Sequence, residues 1–101
     1  MDVKIERLPQ SLRITLAGEL DQHAAQGVLM RFTELESQSL PARCTLDLKA
    51  LGFTDSSGIA VLLGLERRIR DAGGELTVLN TPRQAKRVFD AAGLSRLIRF
   101  E

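Results

Sequence analysis

Alternation of apolar and polar residues at the start of the chain predicts two β-strands. Val3 and Ile5 alternate with charged residues, and residues 12–16 repeat the same two-residue period. That period is typical of strands that bury one face. Residues 8–10 include a proline and are expected to form the turn, and Gly18 is expected to end the second strand.

A helical period follows and predicts a first helix over residues 22–37. Asp21 is a candidate N-cap, because its carboxylate can accept a hydrogen bond from a free N–H of the first turn. The apolar residues that recur at helical spacing are Ala25, Val28, Leu29, Phe32 and Leu35. Pro41 closes the connection to the next strand.

Two further helices have clear start and stop signals. The second is predicted over residues 55–72, and Gly73-Gly74 after it is suited to a left-handed cap. The third is predicted to have Thr81 as its N-cap and Pro82 at its first position. Its apolar stripe, which ends at Gly93, consists of Ala85, Val88, Phe89 and Ala92.

Short apolar segments between the helices complete the predicted order of elements. Residues 44–48, 76–79 and 97–100 are expected to be strands, and residues 49–54 a loop. The order is then β-β-α-β-α-β-α-β. Strands that alternate with helices of this length predict the α/β class, a mostly parallel mixed sheet with helices packed on it and the first strand at its edge.

Length and composition limit the chain to one domain, residues 1–101. Of its 101 residues, 44% are hydrophobic and 27% charged, enough for one core and too apolar for a disordered chain. No apolar run approaches the roughly 18 residues that cross a bilayer. The amino terminus has no apolar stretch of signal-peptide type, so we expect a cytoplasmic protein that binds no membrane.

The charge balance argues against a nucleic-acid-binding protein. Fourteen Lys+Arg against 13 Asp+Glu give a net charge of +1 at pH 7, without the basic excess that nucleic acids require. Basic residues cluster on predicted helices, but acidic residues are interspersed among them, as on a solvated face. These clusters are Arg67, Arg68 and Arg70, and Arg83, Lys86 and Arg87. We expect a monomer when the protein is free.

One histidine and one cysteine exclude most catalytic arrangements. His23 follows the Asp21 cap and is expected to be a polar helix-start residue, and Cys44 is expected to pack as a small hydrophobe. A Ser-His-Asp or Cys-His site would need that histidine, and one cysteine forms neither a disulfide nor a Cys-rich zinc site. The glycines do not have the spacing of a phosphate loop. We therefore predict no enzyme activity and no metal.

Residues 51–59 carry the most informative polar side chains. Asp55, Ser56 and Ser57 lie at a helix start beyond the carboxyl end of a strand, the edge where open α/β sheets meet ligands and partners. The simplest interpretation is structural: Asp55 or Ser56 caps the helix, which contributes ~1 kcal/mol, and Gly58 allows a close approach of the chain.

The first half of this helix is apolar on every side. A surface helix normally shows one apolar stripe. Either this half is buried all round, or some of Val61, Leu62 and Leu65 lies exposed beside the serines as a docking patch.

A serine at this helix start would make an effective switch. Phosphorylation would add about −1.5 to −2 charge close to Asp55. The helix dipole would partly stabilise the phosphate within its own chain, whereas a partner that buries the site would lose affinity through desolvation and repulsion. The sequence alone allows this mechanism without requiring it.

Four groups of residues match one family in chain order. They are Gly18-Glu19-Leu20-Asp21, Asp47-Leu48 before Phe53-Thr54-Asp55-Ser56-Ser57-Gly58, Gly73-Gly74-Glu75-Leu76, and Ala92-Gly93-Leu94. Together they resemble the STAS domain of anti-sigma factor antagonists (anti-anti-sigma factors). The Asp-Ser-Ser-Gly segment is similar to that of the phosphorylatable bacterial members. Residues 97–101 resemble the end of the sporulation member that acts on sigma-F.

The resemblance implies partner switching in transcription regulation. Such antagonists bind an anti-sigma factor that is itself a serine kinase, and thereby release the sigma factor. The kinase inactivates the antagonist by phosphorylating the first serine of the motif, which is Ser56 here, and a PP2C-type phosphatase reactivates it. ATP and magnesium belong to the kinase, so the resemblance implies no cofactor in this chain.

The resemblance also implies a partner-binding face around the serine. Asp21 and Asp55 would lie on this face, and His23 fills a neighbouring position. The expected partner-binding residues are Asp21, His23, Thr54, Asp55, Ser56, Ser57, Gly58 and Ile59.

Two other classes of function stay open at this point. One is a STAS subunit of another partner-switching, stress-sensing or transport complex, and the other is a small nucleotide-binding protein. Ser56 favours the antagonist over STAS domains that lack a serine at the helix start. The missing phosphate loop counts against nucleotide binding.

Overall fold

The computed structural model describes residues 1–35 and 40–101, and within them the chain alternates strands and helices. The elements are β1 (Asp2–Leu8), β2 (Ser11–Leu20), α1 (Gln22–Leu35), β3 (Arg43–Asp47), β4 (Leu51–Thr54), α2 (Ser57–Asp71), β5 (Glu75–Leu79), α3 (Arg83–Ala91), a 3₁₀ helix (Leu94–Arg96) and β6 (Arg99–Phe100). The predicted end of the first helix, residues 36 and 37, lies outside the described residues.

The strands form one mixed sheet in the order β1-β2-β3-β5-β6, with β4 paired to β2. β1 is antiparallel to β2 at the edge of the sheet, and the other pairs are parallel. The α/β class, the mostly parallel sheet and the edge position of the first strand are therefore confirmed.

The buried side chains on one face of the sheet form one side of the hydrophobic core. The alternation in β2, β3 and β5 buries Leu12, Ile14, Leu46 and Val78 completely. α1 and α2 cover this face with a second set of buried side chains, namely Ala25, Val28, Phe32 and Leu35 from α1 and Val61, Leu62, Leu65 and Ile69 from α2. Cys44 is also buried in this core, as predicted.

The end of α2 follows the prediction closely. Gly73 has a φ of +81°, a conformation that favours glycine. Its N–H donates to the Arg70 carbonyl at 2.9 Å, and the Gly74 N–H donates to the Ile69 carbonyl at 2.8 Å. This pair of hydrogen bonds is the Schellman arrangement, and it satisfies the last carbonyls of the helix.

The predicted loop over residues 49–54 is wrong, because residues 51–54 form β4. Leu51 lies 3% exposed and Thr54 is completely buried, so both ends of this short strand anchor in the core. Gly18 was expected to end β2, but β4 pairs with β2 residues after Gly18. The register of this pairing shifts between Gly18 and Glu19. β2 continues to Leu20 because β4 supplies backbone partners there.

The start of α3 and the end of the chain also differ from the prediction. α3 begins at Arg83 after Pro82, whose ψ of 153° is extended, so Thr81 does not cap it. The last strand was predicted over residues 97–100, but in the structure it is limited to β6, residues 99–100. A 3₁₀ turn comes before it and buries the side chains of Leu94 and Ile98. Within that turn the Leu97 N–H donates to the Leu94 carbonyl at 3.0 Å.

A buried carboxylate ties three parts of the chain together. Asp47 accepts hydrogen bonds from the Arg13 guanidinium at 2.6 Å, the Lys49 backbone N–H at 2.9 Å and the Asn80 side-chain amide at 3.1 Å. Burial acts to raise the pKa of the Asp47 carboxyl, but the bonds from Asn80 and Lys49 and the charge of Arg13 outweigh it. The pKa therefore lies below its ordinary value.

A close approach of α2 to β4 sets the position of the α2 start. A Cβ atom on Gly58 would lie 2.1 Å from the Thr54 hydroxyl oxygen and 3.3 Å from a methyl group of Leu20. Thr54 and Leu20 are both completely buried and cannot move aside. The helix start can therefore lie this close to the sheet only because residue 58 is glycine.

We expect Asp47→Asn to lower the free energy of unfolding by about 1–3 kcal/mol at pH 7. The substitution replaces a carboxylate oxygen by an NH₂ group, which then faces the Arg13 guanidinium, itself a donor. The depressed pKa makes the carboxylate stabilising above about pH 4, its unfolded range, and this stability is lost as pH falls through the folded pKa. Wild-type stability should thus fall more on acidification than that of the variant. Urea unfolding at neutral and acidic pH measures this, and equal acid dependence would contradict it. Exposed Asp71→Asn is the control.

We expect Gly58→Ala to destabilise the fold by about 1–3 kcal/mol, because the added methyl group forces α2 away from Thr54. Gly27→Ala in α1 is the matched control, since a Cβ atom added there would meet nothing within 4 Å. Removing that helical glycine should instead stabilise the protein by roughly 0.5–1 kcal/mol. Thermal and urea unfolding measure both changes. A Gly58→Ala protein as stable as wild type would show that the close approach is unimportant.

Candidate functional site

Parallel pairing of β2 with β4 places two aspartates side by side. Leu20 and Thr54 are partners in this pairing, and each is followed directly by an aspartate, Asp21 or Asp55. The Asp55 backbone N–H donates to the Leu20 carbonyl at 3.3 Å. The starts of α1 and α2 therefore lie together at the carboxyl edge of the sheet.

Each aspartate caps the helix that follows it. The Asp21 carboxylate accepts a hydrogen bond from the Ala24 N–H at 2.8 Å, and the Asp55 carboxylate accepts one from the Ser57 N–H at 2.7 Å. Both bonds use one carboxylate oxygen, Oδ1. The predicted capping role is confirmed for Asp21, and of the two candidates at α2 it is Asp55 whose side chain takes it.

The Ser56 hydroxyl is left outside this capping arrangement. Ser56 is the exposed residue directly before α2, with φ −63° and ψ −16°, and its side chain makes no capping hydrogen bond. The free N–H groups nearby already have acceptors, since Gly58 donates to the Asp55 carbonyl and Ile59 donates to the Ser56 carbonyl, both at 3.1 Å. The hydroxyl is therefore accessible and not needed to hold the helix.

A shallow depression lies beside the serine. Its lining consists of Asp21, Gln22, His23, Gln26 and Asp55. His23 is exposed in the first turn of α1, as its predicted place at the helix start requires. The structure thus brings Asp55 next to Asp21 and His23, which belong to a distant segment of the sequence. Two carboxylates and an imidazole make this depression, which includes the residue before Ser56, polar and negatively charged.

Two of the expected partner-binding residues lie beneath this surface. Thr54 has no exposed area, and Gly58 is buried against it. The Thr54 hydroxyl donates to the Asp55 carbonyl at 2.9 Å and lies 3.3 Å from the Leu20 carbonyl. Because Thr54 and Gly58 are buried, they support the loop from below and expose no side chain at its surface.

The apolar part of the site fits neither of the two sequence alternatives. Val61, Leu62 and Leu65 are completely buried, so the idea that they form an exposed docking patch is wrong. Burial all round is also wrong, because Ala60 is exposed. The exposed large apolar residue of α2 is Leu63, at 37%, four residues after the partly buried Ile59. Helical spacing places both on one side of α2.

Phe53 and Gln84 are parts of the site region that the sequence did not single out. Phe53 is 43% exposed on β4, two residues before Asp55. Gln84 lies in the first turn of α3 and bonds to the backbone of Thr54. An apolar residue next to the serine motif was a readable signal for Phe53, whereas an isolated glutamine 30 residues from its partner gives none.

The remaining chemistry of the described residues is limited. Burial raises the pKa of the Cys44 thiol to about 12, so this cysteine stays protonated and unreactive at neutral pH. Across residues 1–35 and 40–101, no group of three or more His, Cys, Asp or Glu side chains could hold a metal ion. The helices in this part of the chain are also too short or too polar to cross a membrane.

Comparison with known proteins shows similarity over nearly the whole chain. The chain is 33% identical over 98 residues to an anti-sigma F factor antagonist of Paenibacillus polymyxa, and the match covers 97% of this chain and 84% of the relative. It is 26% identical over 98 residues to an anti-sigma-B factor antagonist of Bacillus subtilis (strain 168), with 97% and 88% covered.

The fold is also similar to a solved antagonist in two states. The structure of the anti-sigma factor antagonist SpoIIAA in its unphosphorylated form matches with a TM-score of 0.83 and 26% identity, over 99% of this chain and 88% of that one. The structure of the Bacillus cell fate determinant SpoIIAA in its phosphorylated form matches with a TM-score of 0.75 and 26% identity, over 99% and 91%.

A model of the STAS domain family matches residues 2–101, which is all but the first residue of the chain. The sequence motifs, the sheet topology and the 33% identity agree with that match. This chain therefore belongs to the STAS domain family.

Proposed function

We propose that this protein is an anti-sigma factor antagonist that is switched by phosphorylation of Ser56. It binds an anti-sigma factor that is a serine kinase, and this binding releases the sigma factor. The kinase then phosphorylates Ser56 and ends the interaction, and a PP2C-type phosphatase restores the binding form. The observation that carries the proposal is the exposed Ser56 hydroxyl, which no capping bond occupies, at the start of α2.

The comparisons support the antagonist role and its switch. Two relatives carry the names of anti-sigma factor antagonists, one for sigma F and one for sigma B. SpoIIAA is known in an unphosphorylated and a phosphorylated form. The higher identity to the sigma F antagonist favours a role in sigma-F-dependent transcription during sporulation.

The partner-binding face in this proposal is polar at its centre and apolar at its side. The proposed face comprises Ser56 with Asp21, His23, Asp55 and Ser57, and the exposed part of Ile59 extends it along α2. Thr54 and Gly58 contribute from beneath by fixing the loop. A partner that covers this face must desolvate two carboxylates, and any further negative charge there raises that cost.

Phosphorylation acts on the complex more than on the fold. A phosphate at Ser56 would add about −1.5 to −2 charge beside the Asp55 carboxylate. Within its own chain the start of α2 partly offsets this charge through the helix dipole. In the complex the same charge must be buried, and it meets any acidic group of the partner, so affinity falls.

We expect phosphoryl transfer to occur at Ser56 alone. The protein is incubated with its cognate anti-sigma factor kinase, ATP and Mg²⁺, and intact-mass and phosphosite analysis then locate the modification. Ser56→Ala should abolish the mass increase, and Ser57→Ala is the control that should retain it. Intact binding with an unmodified Ser56 would contradict the switch while leaving the antagonist role, and it would favour another partner-switching complex.

We expect Ser56→Ala to bind the kinase persistently and Ser56→Asp to bind it at least ~10-fold more weakly, since an added buried charge costs more than about 1.4 kcal/mol. Isothermal titration with the kinase and a nucleotide measures both affinities. Ser95→Asp is the matched control, because it adds the same charge at an exposed serine of the 3₁₀ helix, outside the partner-binding face. Equal weakening by Ser56→Asp and Ser95→Asp would show that total charge matters without a specific role for Ser56.

A further inference from the structure

The backbone of Thr54 points toward α3 and not toward β2. Successive residues of a strand present their N–H and C=O groups to opposite edges. Asp55 uses the edge that faces β2, where its N–H meets the Leu20 carbonyl. Both backbone groups of Thr54 therefore lie on the outer edge of β4, where another strand would continue the sheet.

A side-chain amide takes the place of that strand. The Thr54 N–H donates to Gln84 Oε1 at 3.0 Å, and Gln84 Nε2 donates to the Thr54 carbonyl at 2.7 Å. The amide of Gln84 thus pairs with Thr54 as the peptide group of a neighbouring strand would. Two bonds from one planar group fix both the distance and the orientation of the β4 end.

Loss of this amide would leave the backbone N–H and carbonyl of Thr54 without partners. Thr54 has no exposed area, so water does not replace the two bonds without a movement of the backbone. The loop that would move continues directly into Asp55 and Ser56. Gln84 is the side chain that links α3 to this loop by hydrogen bonds on both sides of one residue.

We propose that Gln84 is a positioning residue for Ser56: it holds the end of β4 so that the Asp55–Ser56 backbone has the one conformation that a kinase engages. The inference rests on the proposed phosphorylation of Ser56. Gln84 is not one of the residues proposed for the partner-binding face, and its two hydrogen bonds go to the backbone of Thr54. Gln84 acts through Thr54. It changes the fraction of molecules whose loop has the conformation that the kinase binds, and it leaves the phosphoryl-transfer step unchanged.

The first test compares phosphorylation of folded wild-type protein and Gln84→Met, which keeps the side-chain length and removes both hydrogen bonds. A smaller competent fraction raises the apparent KM and leaves kcat nearly unchanged, and we expect KM to rise about 10-fold. The assay is run at a temperature where unfolding curves show both proteins folded. Exposed Arg83→Ala in the same helical turn is the control and should keep the wild-type KM.

A second variant separates positioning from general damage to the fold. In Gln84→Glu the ionised carboxylate accepts from the Thr54 N–H but repels the Thr54 carbonyl, whereas the protonated carboxyl both accepts and donates. KM, normalised to wild type at each pH, should thus recover as pH falls from 8 toward about 5, near the range where glutamate protonates. Arg87→Gln lowers the net charge equally and should show no such recovery.

Hydrogen exchange of the Thr54 amide gives a readout that needs no kinase. We expect exchange at least roughly 10-fold faster in Gln84→Met than in wild type, because the N–H loses its acceptor. A wild-type KM in Gln84→Met, or a pH-independent Gln84→Glu, would overturn the positioning role. A wild-type protein left unmodified at Ser56 would overturn the proposed switch, and the exchange rates would then still report separately whether Gln84 holds the loop.

Discussion

The parallel pairing of Leu20 with Thr54 is the constraint on which the site depends. Because both strands end at this pair, the helix that follows each strand starts at the same edge of the sheet. Asp21 and Asp55 become neighbours for that reason alone. The pairing is itself held from two sides, by the buried Gly58 contact with Thr54 and by the Gln84 amide on its outer edge.

This constraint also explains why the serine hydroxyl is accessible. A serine directly before a helix commonly caps it through its hydroxyl. Here Asp55, one residue earlier, reaches the Ser57 N–H, and backbone carbonyls accept from the next two N–H groups. The Ser56 side chain is therefore exposed at the helix start, and it makes no capping hydrogen bond. A modifiable group in such a place can change charge without removing a bond that the fold needs.

The sequence predicted most of the fold because local patterns determine most of it. The alternation around Leu12, the Asp21 cap and the Gly73 ending are local signals, and each is confirmed. The β4 strand was missed because four residues with a glycine do not show a period, and its pairing depends on β2, a distant segment of the chain. The Thr81 cap was wrong because an extended Pro82 delays the helix by one residue.

The same distinction between local signals and contacts of distant segments applies to the candidate site. Its polar motif was readable, since Asp55, Ser56 and Ser57 are adjacent in the sequence. The proximity of His23 to Asp55, the burial of Thr54 and the bonds from Gln84 depend on contacts between distant segments. Thr54 illustrates the difference most clearly: within the motif it reads as one more polar residue of a binding loop, whereas in the fold it is the buried point through which three elements hold that loop.

A switch built on this arrangement acts through the partner's electrostatics. Asp21 and Asp55 already make the surface beside Ser56 negative, and in free protein water screens their mutual repulsion. A docked partner removes that water, so the same charges interact more strongly, and a phosphate among them raises the cost of docking further. In the proposed switch the free fold would meet little of this cost, because the phosphate would stay solvated at the start of α2. The same modification can therefore be mild for the folded chain and severe for its complex.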